Sequence, residues 1–400
     1  MTSDPAGAYD VVVVGGGVIG GSIAYLLAKA GLHVCVMERE ALGSGASGHG
    51  HGAMCLVGND FKRGPHFDLG LESSGLYADF AAAMLEDSGI DTLYHELPSI
   101  SLALTEEEEQ IFRGVMTWQS EWIPLRWIDI DECRSIEPRI SERGIGGVLN
   151  HHGQVDGYRV SLAAVTAMER LGGTLLLREA TGLQYDGDRV TGVTYPGGVI
   201  ATERVVLSGG AWIGAARSWI DYPIPVKPLH GEVLNVRLPG DPLKAFILTG
   251  RHGPLLQRKD GVIMAGSIGG VTMSGMDVHA LHVFDPADTG PWEFDISPHE
   301  SGRNHMLECT LRIMPAMEDA TLVAHLAGVR PLSADRLPII GPVPGREGVY
   351  LATGHGTKGI HLAAVTAKIV RDAVLTGQQS SDYDAFLPAR FDALSARAAR

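Results

Sequence analysis

Cysteine is scarce in this chain. Its 400 residues include four cysteines, which stand far apart at Cys35, Cys55, Cys133 and Cys309. None belongs to a CxxC pair, which argues against a disulfide-stapled scaffold and against a cysteine zinc site. The pattern is typical of proteins of the reduced cytoplasm, so we expect a cytoplasmic location.

Basic runs and leader-like segments are also missing. The formal net charge is −15, and no run of five or more Lys or Arg residues occurs. We therefore expect no nucleic-acid partner and no binding to anionic membranes. Residues 11–30 are rich in apolar side chains, but their five glycines argue against an integral membrane segment. Residues 1–9 contain Asp4 and lack the charged and apolar regions of a signal peptide.

Three common catalytic signatures do not occur: HExxH, the P-loop and GxSxG. Their absence argues against a zinc metallopeptidase, a P-loop NTPase and an α/β-hydrolase. The composition, with 45% hydrophobic and 20% charged residues, is ordinary for a globular protein. A chain of 400 residues is long enough to form two lobes.

The N-terminal part contains a glycine-rich motif. The valines Val11–Val14 predict a buried parallel strand, and the GxGxxG pattern of residues 15–20 follows directly. In such a motif Gly15 permits a tight turn, Gly17 lets the backbone approach a pyrophosphate, and Gly20 lets the next helix pack on the sheet. The helix N-terminus favours the anion. Glu38 ends the next apolar run, where a carboxylate accepts hydrogen bonds from a ribose diol. The sequence therefore predicts dinucleotide binding.

Apolar periodicity and turn residues predict further elements. Helices are expected at 22–30, 67–85, 105–119, 161–171 and 360–375, strands at 32–37, 174–177, 205–207, 229–237, 261–266 and 349–351, short hairpin strands within 182–199, and a turn-rich segment at 150–156. Thr105 and Glu108 have the spacing of a capping box. Nucleotide-binding features thus occupy the start, the middle and the end of the chain. This discontinuous layout favours a flavin over a nicotinamide cofactor.

Four stretches of the sequence form a specific set. They are residues 15–38, residues 43–48, the segment VVLSGGAW at 205–212, and a C-terminal group made of AGVRP at 327–331, DRLPIIG at 335–341 and ATGHGTKGI at 352–360. In these stretches the chain resembles the D-amino-acid oxidase-like FAD-dependent oxidoreductases, which include glycine oxidase, sarcosine oxidases, D-amino-acid dehydrogenases and dimethylglycine dehydrogenase.

The resemblance implies an α/β protein of two domains. One is a Rossmann-like FAD-binding domain built from the discontinuous segments 1–90, 150–225 and 325–400. The other is an α+β substrate-binding domain, formed by 91–149 and 226–324 and based on a mainly antiparallel sheet. The flavin is expected to lie between them.

The resemblance also implies the reaction. A hydride passes from the α-carbon of an amino acid or of a secondary or N-methyl amine to flavin N5, and the resulting imine hydrolyses in water. The flavin carries the redox chemistry, and the protein supplies binding, orientation and electrostatics. The expected electron acceptor is O₂ or a quinone or other electron carrier. A homo-oligomer is also considered.

The residues expected to contact FAD follow from the family stretches. Glycines near residue 50 let the backbone approach the flat flavin ring, and backbone N–H groups of 356–360 are expected to stabilise negative charge on the reduced flavin. The full set is Gly15, Gly17, Val18, Ile19, Gly20, Glu38, Arg39, Ser44, Ala46, Ser47, Gly52, Ala53, Met54, Ala180, Gly209, Gly210, Trp212, Arg330, Gly354, His355, Gly356, Lys358, Gly359 and Ile360.

Four residues are the candidates for catalysis. Arg330 matches the family arginine that pairs with the substrate carboxylate, a task suited to a planar guanidinium; the alternative is an arginine that ties the two lobes together. Lys358 matches a loop lysine of sarcosine oxidases, and its alternative is a solvated loop lysine. His49 and His51 are expected near flavin or substrate. Non-covalent FAD is expected, with covalent attachment through His49 or His51, or a structural role, as alternatives.

Other positions depart from the family pattern. Pro254 stands where relatives often have a substrate-binding tyrosine, which argues against a simple glycine-type pocket. Met264 stands where sarcosine oxidases have the lysine that activates oxygen, so the sequence does not specify O₂ as the acceptor. His361 is expected either to contact the pocket or to pack near a helix start.

The segment 272–299 looks longer than the usual family connection. We expect a lid or a subunit-contact loop, with Trp292 and Phe294 as apolar caps over a substrate. The segment also contains His279, His282, Asp285, Asp288, Glu293, Asp295 and His299, but these have no compact ligand spacing and no metal is expected.

Two alternative functions remain open from the sequence. One is an FAD-dependent 2-hydroxy-acid dehydrogenase, which needs a base for the hydroxyl proton, a role open to His49, His51 or His355. The other is a flavin-bearing electron-transfer subunit of a larger complex. Arg330 argues against the latter, because such a subunit needs no carboxylate-binding arginine.

Overall fold

The computed structural model describes residues 8–58, 61, 63–268, 284–288 and 290–393. Residues 1–7, His279 and His282 lie outside the described residues, so the expectations about a leader and about these two histidines stay predictions.

The strands are β1 (Val11–Val14), β2 (Val34–Glu38), β3 (His95–Ala103), β4 (Arg126–Asp129), β5 (Gly146–Gln154), β6 (Thr174–Leu177), β7 (Gly182–Asp186), β8 (Arg189–Tyr195), β9 (Gly198–Ala201), β10 (Val205–Leu207), β11 (Val226–Arg237), β12 (Phe246–Thr249), β13 (Leu255–Gln257), β14 (Ile263–Ile268), β15 (Thr321–Ser333), β16 (Ile339–Pro342) and β17 (Val349–Thr353).

The helices connect and cover these strands. They are α1 (Val18–Lys29), α2 (Pro65–Ser88), α3 (Glu106–Gln119), α4 (Ile130–Ile136), α5 (Gly157–Arg170), α6 (Arg217–Ile220), α7 (Glu300–Ile313) and α8 (Ala363–Thr376). The Thr105 side chain caps α3 by accepting the N–H of Glu108, as the capping-box spacing predicts. Among the described residues, no helix combines the length and the apolar character that a bilayer crossing requires.

A six-stranded sheet has the order β16-β17-β10-β1-β2-β6. Its neighbours pair in parallel except β16 with β17, which are antiparallel. Both faces of this sheet are buried: Val11 and Val13 pack with helix residues such as Ile23 and Leu27, while Val12 packs on the other face. This two-sided burial explains the continuous valine run of β1.

An eight-stranded sheet has the order β15-β11-β14-β13-β12-β3-β5-β4. All its pairings are antiparallel except that of β12 with β3. The longest ladder joins β11 to β15 and places Leu229 opposite Arg330. A third sheet is the meander β7-β8-β9. The predicted fold class, a Rossmann-like sheet with a mainly antiparallel second sheet, is confirmed.

The structure corrects two local expectations. Residues 150–156 are not turn-rich, because residues 150–154 belong to β5, which pairs with β3 over nine consecutive positions from His95↔Gln154 to Ala103↔Gly146. Glycine, asparagine and histidine in this stretch suggested a turn, but a continuous ladder satisfies the backbone more fully than isolated turns do. The last helix also begins later than predicted, at Ala363, after a 3₁₀ turn at Gly356–Lys358.

Candidate functional site

A cavity of about 480 Å³ lies at the carboxyl ends of the parallel strands. Val14, Met37, Leu207 and Thr353, at the ends of β1, β2, β10 and β17, form part of its wall. In open α/β sheets ligands bind outside the carboxyl ends of the strands, because the chain connections diverge there. The sheet topology therefore marks this cavity as the principal candidate site.

The turn between β1 and α1 forms one wall. Gly15 has a φ of +111°, and a Cβ on it would come within 2.5 Å of the Ser208 carbonyl oxygen. A Cβ on Gly20 would overlap the Gly15 carbonyl oxygen. Gly17 is the N-cap of α1, and the first turn, which begins with Val18 and Ile19, has no acidic side chain. The positive end of the helix dipole is thus left available to an anion.

Glu38 and Ser47 hold this turn in place. Glu38 accepts the N–H of Gly16 at 2.8 Å and the N–H of Glu40 at 2.9 Å, one on each carboxylate oxygen. The Ser47 hydroxyl accepts the N–H of Val18 at 2.9 Å. A carboxylate has about four acceptor positions, so Glu38 keeps the capacity to accept from the hydroxyls of a ribose.

Arg330 lies in the cavity wall, on β15. Its Nη1 donates to the carbonyl oxygen of His230 at 3.2 Å. The guanidinium fills the space beside Gly231, since a Cβ at that position would overlap it. The neighbouring strand β11 thereby fixes the direction of the Arg330 side chain.

The two histidines after the 43–48 stretch occupy different surroundings. His49 Nδ1 is 2.5 Å from the Gly45 carbonyl oxygen, so this nitrogen donates to the backbone. His51 Nε2 is 3.3 Å from the Gly266 carbonyl oxygen. Both rings are half-buried and contact backbone carbonyl oxygens of the chain.

Glycines of the same segment are explained by contacts within the protein. Gly52 has a φ of +72°, and a Cβ there would overlap the Val155 carbonyl oxygen. A Cβ on Gly50 would lie 2.8 Å from Cδ1 of Ile360. The segment therefore lies tightly against Val155, which follows β5, and against Ile360, which lines the cavity.

His152, His355 and His361 are buried, and one of them, His355, lies in the cavity wall. Burial is the main cause that lowers the pKa of His152, His355 and His361 to about 3, and the charge of Lys358 contributes for His152 and His361. His355 Nε2 is 3.0 Å from the Thr366 hydroxyl. His361 Nε2 lies 2.8 Å from the Ser74 hydroxyl and 3.1 Å from the Gly70 carbonyl oxygen. These rings are neutral near pH 7, and the surroundings of His361 are those of a packing histidine.

Two further contacts involve predicted residues. The Lys358 ammonium lies 4.8 Å from the centre of the Phe61 ring, an arrangement favourable to a cation. Trp212, in the cavity wall, stacks on Phe294 with ring centres 5.3 Å apart and an angle of 10° between the planes. Phe294 therefore packs on the cavity wall, while Trp292 packs edge-on against Phe284.

The comparisons with known proteins agree with this geometry. The model of a family described as FAD dependent oxidoreductase matches residues 10–373. The chain belongs to this family. The glycine oxidase of Pseudomonas aeruginosa is 30% identical over 390 residues, which cover 95% of this chain and 98% of that protein. The glycine oxidase of Geobacillus kaustophilus is 29% identical over 381 residues, covering 94% of this chain and 96% of that protein.

Solved structures give the same result. The crystal structure of glycine oxidase from Geobacillus kaustophilus has a TM-score of 0.85 with this chain at 29% identity, and the match covers 96% of this chain and 99% of that one. The predicted membership of the D-amino-acid oxidase-like family and the predicted FAD-dependent oxidoreductase activity are confirmed. The cavity is accordingly the candidate FAD site.

Many of the residues predicted to contact FAD line this FAD cavity. They are Gly15, Gly17, Val18, Ile19, Glu38, Arg39, Ser44, Ala46, Ser47, Ala180, Gly209, Gly210, Trp212, Arg330, His355, Gly356, Gly359 and Ile360. Outside the described wall lie Gly20, His49, His51, Gly52, Ala53, Met54, Gly354 and Lys358. Since none of these contacts has been tested, the role of each residue stays a prediction.

The sequence did not single out several wall residues. Outside the family stretches these include Arg178, Glu179 and Thr181 after β6 and Trp219 on α6. Within the stretches, no side-chain role was assigned to Ser208 after β10, to Val329 and Pro331 on either side of Arg330, or to Thr353 and Thr357 near the end of β17. Most follow the carboxyl end of a strand of the parallel sheet. That position is a usable signal once the strand order is known.

Proposed function

We propose that this FAD-dependent oxidoreductase oxidises the C–N bond of an amino acid or of a secondary or N-methyl amine that carries a carboxylate. The observation that carries the proposal is the position of Arg330 in the wall of the FAD cavity, with its guanidinium directed by Gly231 and His230. A guanidinium binds a carboxylate through two parallel hydrogen bonds. Relatives similar over nearly the whole chain are glycine oxidases, which supports the same substrate class.

The cavity fits FAD on three features. First, the turn that contains Gly15 and Gly20 has no room for a Cβ atom at either position. Second, this turn leads into the N-terminus of α1, whose first turn has no acidic side chain and therefore suits a pyrophosphate. Third, within the described residues, His355 in the wall has a buried Nδ1 without a protein hydrogen-bond partner. In the proposal, N–H groups of α1 bind the pyrophosphate, Glu38 binds the adenine-side ribose, and N–H groups of 356–360 face the flavin.

The bound flavin would supply the hydride acceptor. Arg330 would bind the substrate carboxylate and thereby orient the α-carbon. The buried histidines are neutral, so Arg330 and Lys358 are the cationic side chains proposed for the substrate carboxylate, while Arg39 and Arg178 also line the cavity. We also propose that the domain boundaries follow the segments 1–90, 150–225 and 325–400 for FAD, and 91–149 and 226–324 for substrate.

The proposal includes non-covalent FAD. His49 Nδ1 donates to the Gly45 backbone, which supports a role in holding the 43–52 segment rather than in a bond to flavin. The acceptor is proposed to be O₂ or an electron carrier. Met264 is buried with Val233, Phe246 and Leu256, so this position presents an apolar environment instead of the lysine of sarcosine oxidases.

The proposal also includes a cytoplasmic location and a homo-oligomer. All four cysteines are buried thiols, which supports the cytoplasm as the location. Size-exclusion chromatography with light scattering tests the proposed homo-oligomer.

The central experiment is a spectrum of the purified protein before and after acid precipitation, followed by anaerobic addition of amines and amino acids. Flavin released into the supernatant supports non-covalent FAD, and flavin in the pellet points to His49 or His51. Bleaching by a carboxylate-bearing amine supports the proposed reaction, and recovery in air identifies O₂ as an acceptor. Arg330→Met should retain FAD but should no longer be bleached at low substrate concentration. The exposed control Arg113→Met should retain FAD and be bleached as the wild type is. Bleaching by a 2-hydroxy acid alone would overturn the proposal.

A further inference from the structure

A cluster of histidines and carboxylates lies at the edge of the eight-stranded sheet, beside Arg330. His230 and Glu232 belong to β11, His325 belongs to the neighbouring β15, and Asp295 and His299 precede α7. We call these five residues the His–carboxylate cluster. The Glu232 side chain is only 1% exposed, although it is an ionisable group. Buried charges in proteins are paired or coordinate metals.

Three atoms of the cluster converge on one point. Glu232 Oε1 is 3.0 Å from His230 Nε2 and 3.6 Å from His299 Nδ1. The ligand atoms of these three residues all lie within 4.8 Å of one another. Ligands at about 2.0–2.1 Å from a tetrahedral ion are about 3.3 Å apart, so the spacing is that of a metal site.

In both His230 and His299, the ring nitrogen that faces away from Glu232, here called the outer nitrogen, donates a hydrogen bond to an oxygen atom. His230 Nδ1 is 2.8 Å from the Asp295 carbonyl oxygen, and His299 Nε2 is 3.1 Å from an Asp295 carboxylate oxygen. Each outer nitrogen therefore carries a proton, and in the neutral ring the inner nitrogen presents a lone pair. This arrangement, an imidazole whose far N–H donates to a carbonyl or carboxylate oxygen, is typical of metal-binding histidines.

The lone pairs of His230 Nε2 and His299 Nδ1 would then point towards a lone pair of Glu232 Oε1. Only a cation between them, either protons or a metal ion, makes this arrangement favourable. The two rings lie face to face, with ring centres 5.1 Å apart and planes inclined by 17°. A single divalent ion bound between the three atoms accepts all three lone pairs, and the ligand atoms are close enough together for this.

The second oxygen of Glu232 is held independently. Its Oε2 accepts from His325 Nε2 at 2.6 Å and from the backbone N–H of His299 at 3.2 Å. These hydrogen bonds orient the carboxylate so that Oε1 is left for coordination, as hydrogen-bonded metal-ligating carboxylates generally are.

We propose that His230 Nε2, His299 Nδ1 and Glu232 Oε1 bind one divalent first-row transition metal ion of the Zn²⁺ class, with water in the remaining position. Two imidazoles and one carboxylate suit Zn²⁺ and similar ions better than Mg²⁺ or Ca²⁺. The ion would fix the segment 295–299 to β11, and the His230 carbonyl oxygen in turn accepts from Arg330. The spacing 230, 232 and 299 forms no sequence motif, which explains why no metal was expected.

The test uses the FAD-loaded protein after dialysis against a chelator. Titration with ZnCl₂ at pH 7.5, followed by calorimetry and by metal analysis after gel filtration, should show one tightly bound equivalent. Glu232→Gln and His299→Ala should each weaken Zn²⁺ binding at least about tenfold. The matched control His33→Ala, an exposed histidine stacked on Tyr9, should bind Zn²⁺ as the wild type does.

Several results would overturn the proposal. These are the absence of stoichiometric Zn²⁺ uptake by the wild-type protein, or equal affinity in the wild type and both variants. The wild-type titration decides the first point even if a buried Glu232→Gln variant fails to fold, and the half-exposed His299 gives a second variant. Because the readout is metal bound rather than turnover, the proposal is independent of the proposed reaction.

Discussion

The Arg330 guanidinium lies directly beside Gly231, so closely that a Cβ at Gly231 would overlap its terminal nitrogens. The two residues are on neighbouring strands of the longest ladder, with Gly231 opposite Gly328 and Arg330 opposite Leu229. Arg330 can therefore point in this direction only because residue 231 has no side chain. This contact links the geometry of the second sheet to the FAD cavity.

Gly231→Ala should displace Arg330 from the cavity wall. Arg330 is proposed to bind the substrate carboxylate, while α1 and Glu38 are proposed to hold the pyrophosphate and ribose of FAD, so we expect the KM for the amino acid to rise about tenfold or more, with unchanged flavin content. Steady-state kinetics and the flavin spectrum measure both quantities. Gly75→Ala is the matched control, because that glycine faces open space in the Pro65–Ser88 helix. An unchanged KM in Gly231→Ala would separate Arg330 from substrate binding.

Gly20→Ala should weaken FAD binding. Its Cβ would overlap the backbone carbonyl of Gly15 and the Ser208 hydroxyl, so α1 must move away from the turn that faces the pyrophosphate. We expect the Kd for FAD to rise at least about tenfold, which corresponds to about 1.4 kcal/mol. Fluorescence titration of the apoprotein with FAD measures this. Gly114→Ala, in open space on the Glu106–Gln119 helix, should bind FAD normally; equal Kd values in both variants would contradict the prediction.

Asp156→Ala should destabilise the fold more than Asp156→Asn. Asp156 caps the Gly157–Arg170 helix by accepting the N–H of Arg159 at 3.0 Å, and it pairs with Arg258 at 2.6 Å in a largely buried ion pair. Alanine removes both the cap and this ion pair, while Arg258 keeps its second partner Asp260 at 2.8 Å, and we expect a loss of about 2 kcal/mol. Asparagine retains the cap and should lose less. Thermal unfolding of the three proteins gives the order, and Asp188→Ala, at an exposed carboxylate, is the control.

Acid should destabilise the protein below pH 6.5. Burial lowers the pKa of His152, His355 and His361 from 6.5 to about 3, so between these values the unfolded chain binds more protons than the folded one. Stability is therefore full above pH 6.5 and falls as the pH decreases. Between pH 6.5 and pH 5 we expect a loss of about 1.6 kcal/mol per buried histidine.

Urea unfolding at the two pH values measures this loss. In His361→Asn the difference between pH 6.5 and pH 5 should shrink, whereas in the exposed control His33→Asn it should equal that of the wild type. The same difference in all three proteins would show that His361 does not contribute to the acid sensitivity.

The β1–α1–β2 unit could be predicted from the sequence because its information is local. The valine run, Gly15, Gly20 and Glu38 lie within 29 consecutive residues, and each has a contact in the structure that requires its residue type. The family resemblance added the position of Arg330. Strand β5 was missed because its stability comes from pairing with β3, about fifty residues earlier in the chain.

The sequence by itself determined the nucleotide-binding turn, the α/β class and the family, because adjacent residues determine turn and strand geometry. Only the tertiary structure decided which residues line the candidate cavity, such as Arg178 and Trp219, and that His299 lies close to His230 and Glu232. These groups are far apart along the chain. Their distances depend on the strand order and register of whole sheets, which no local pattern specifies.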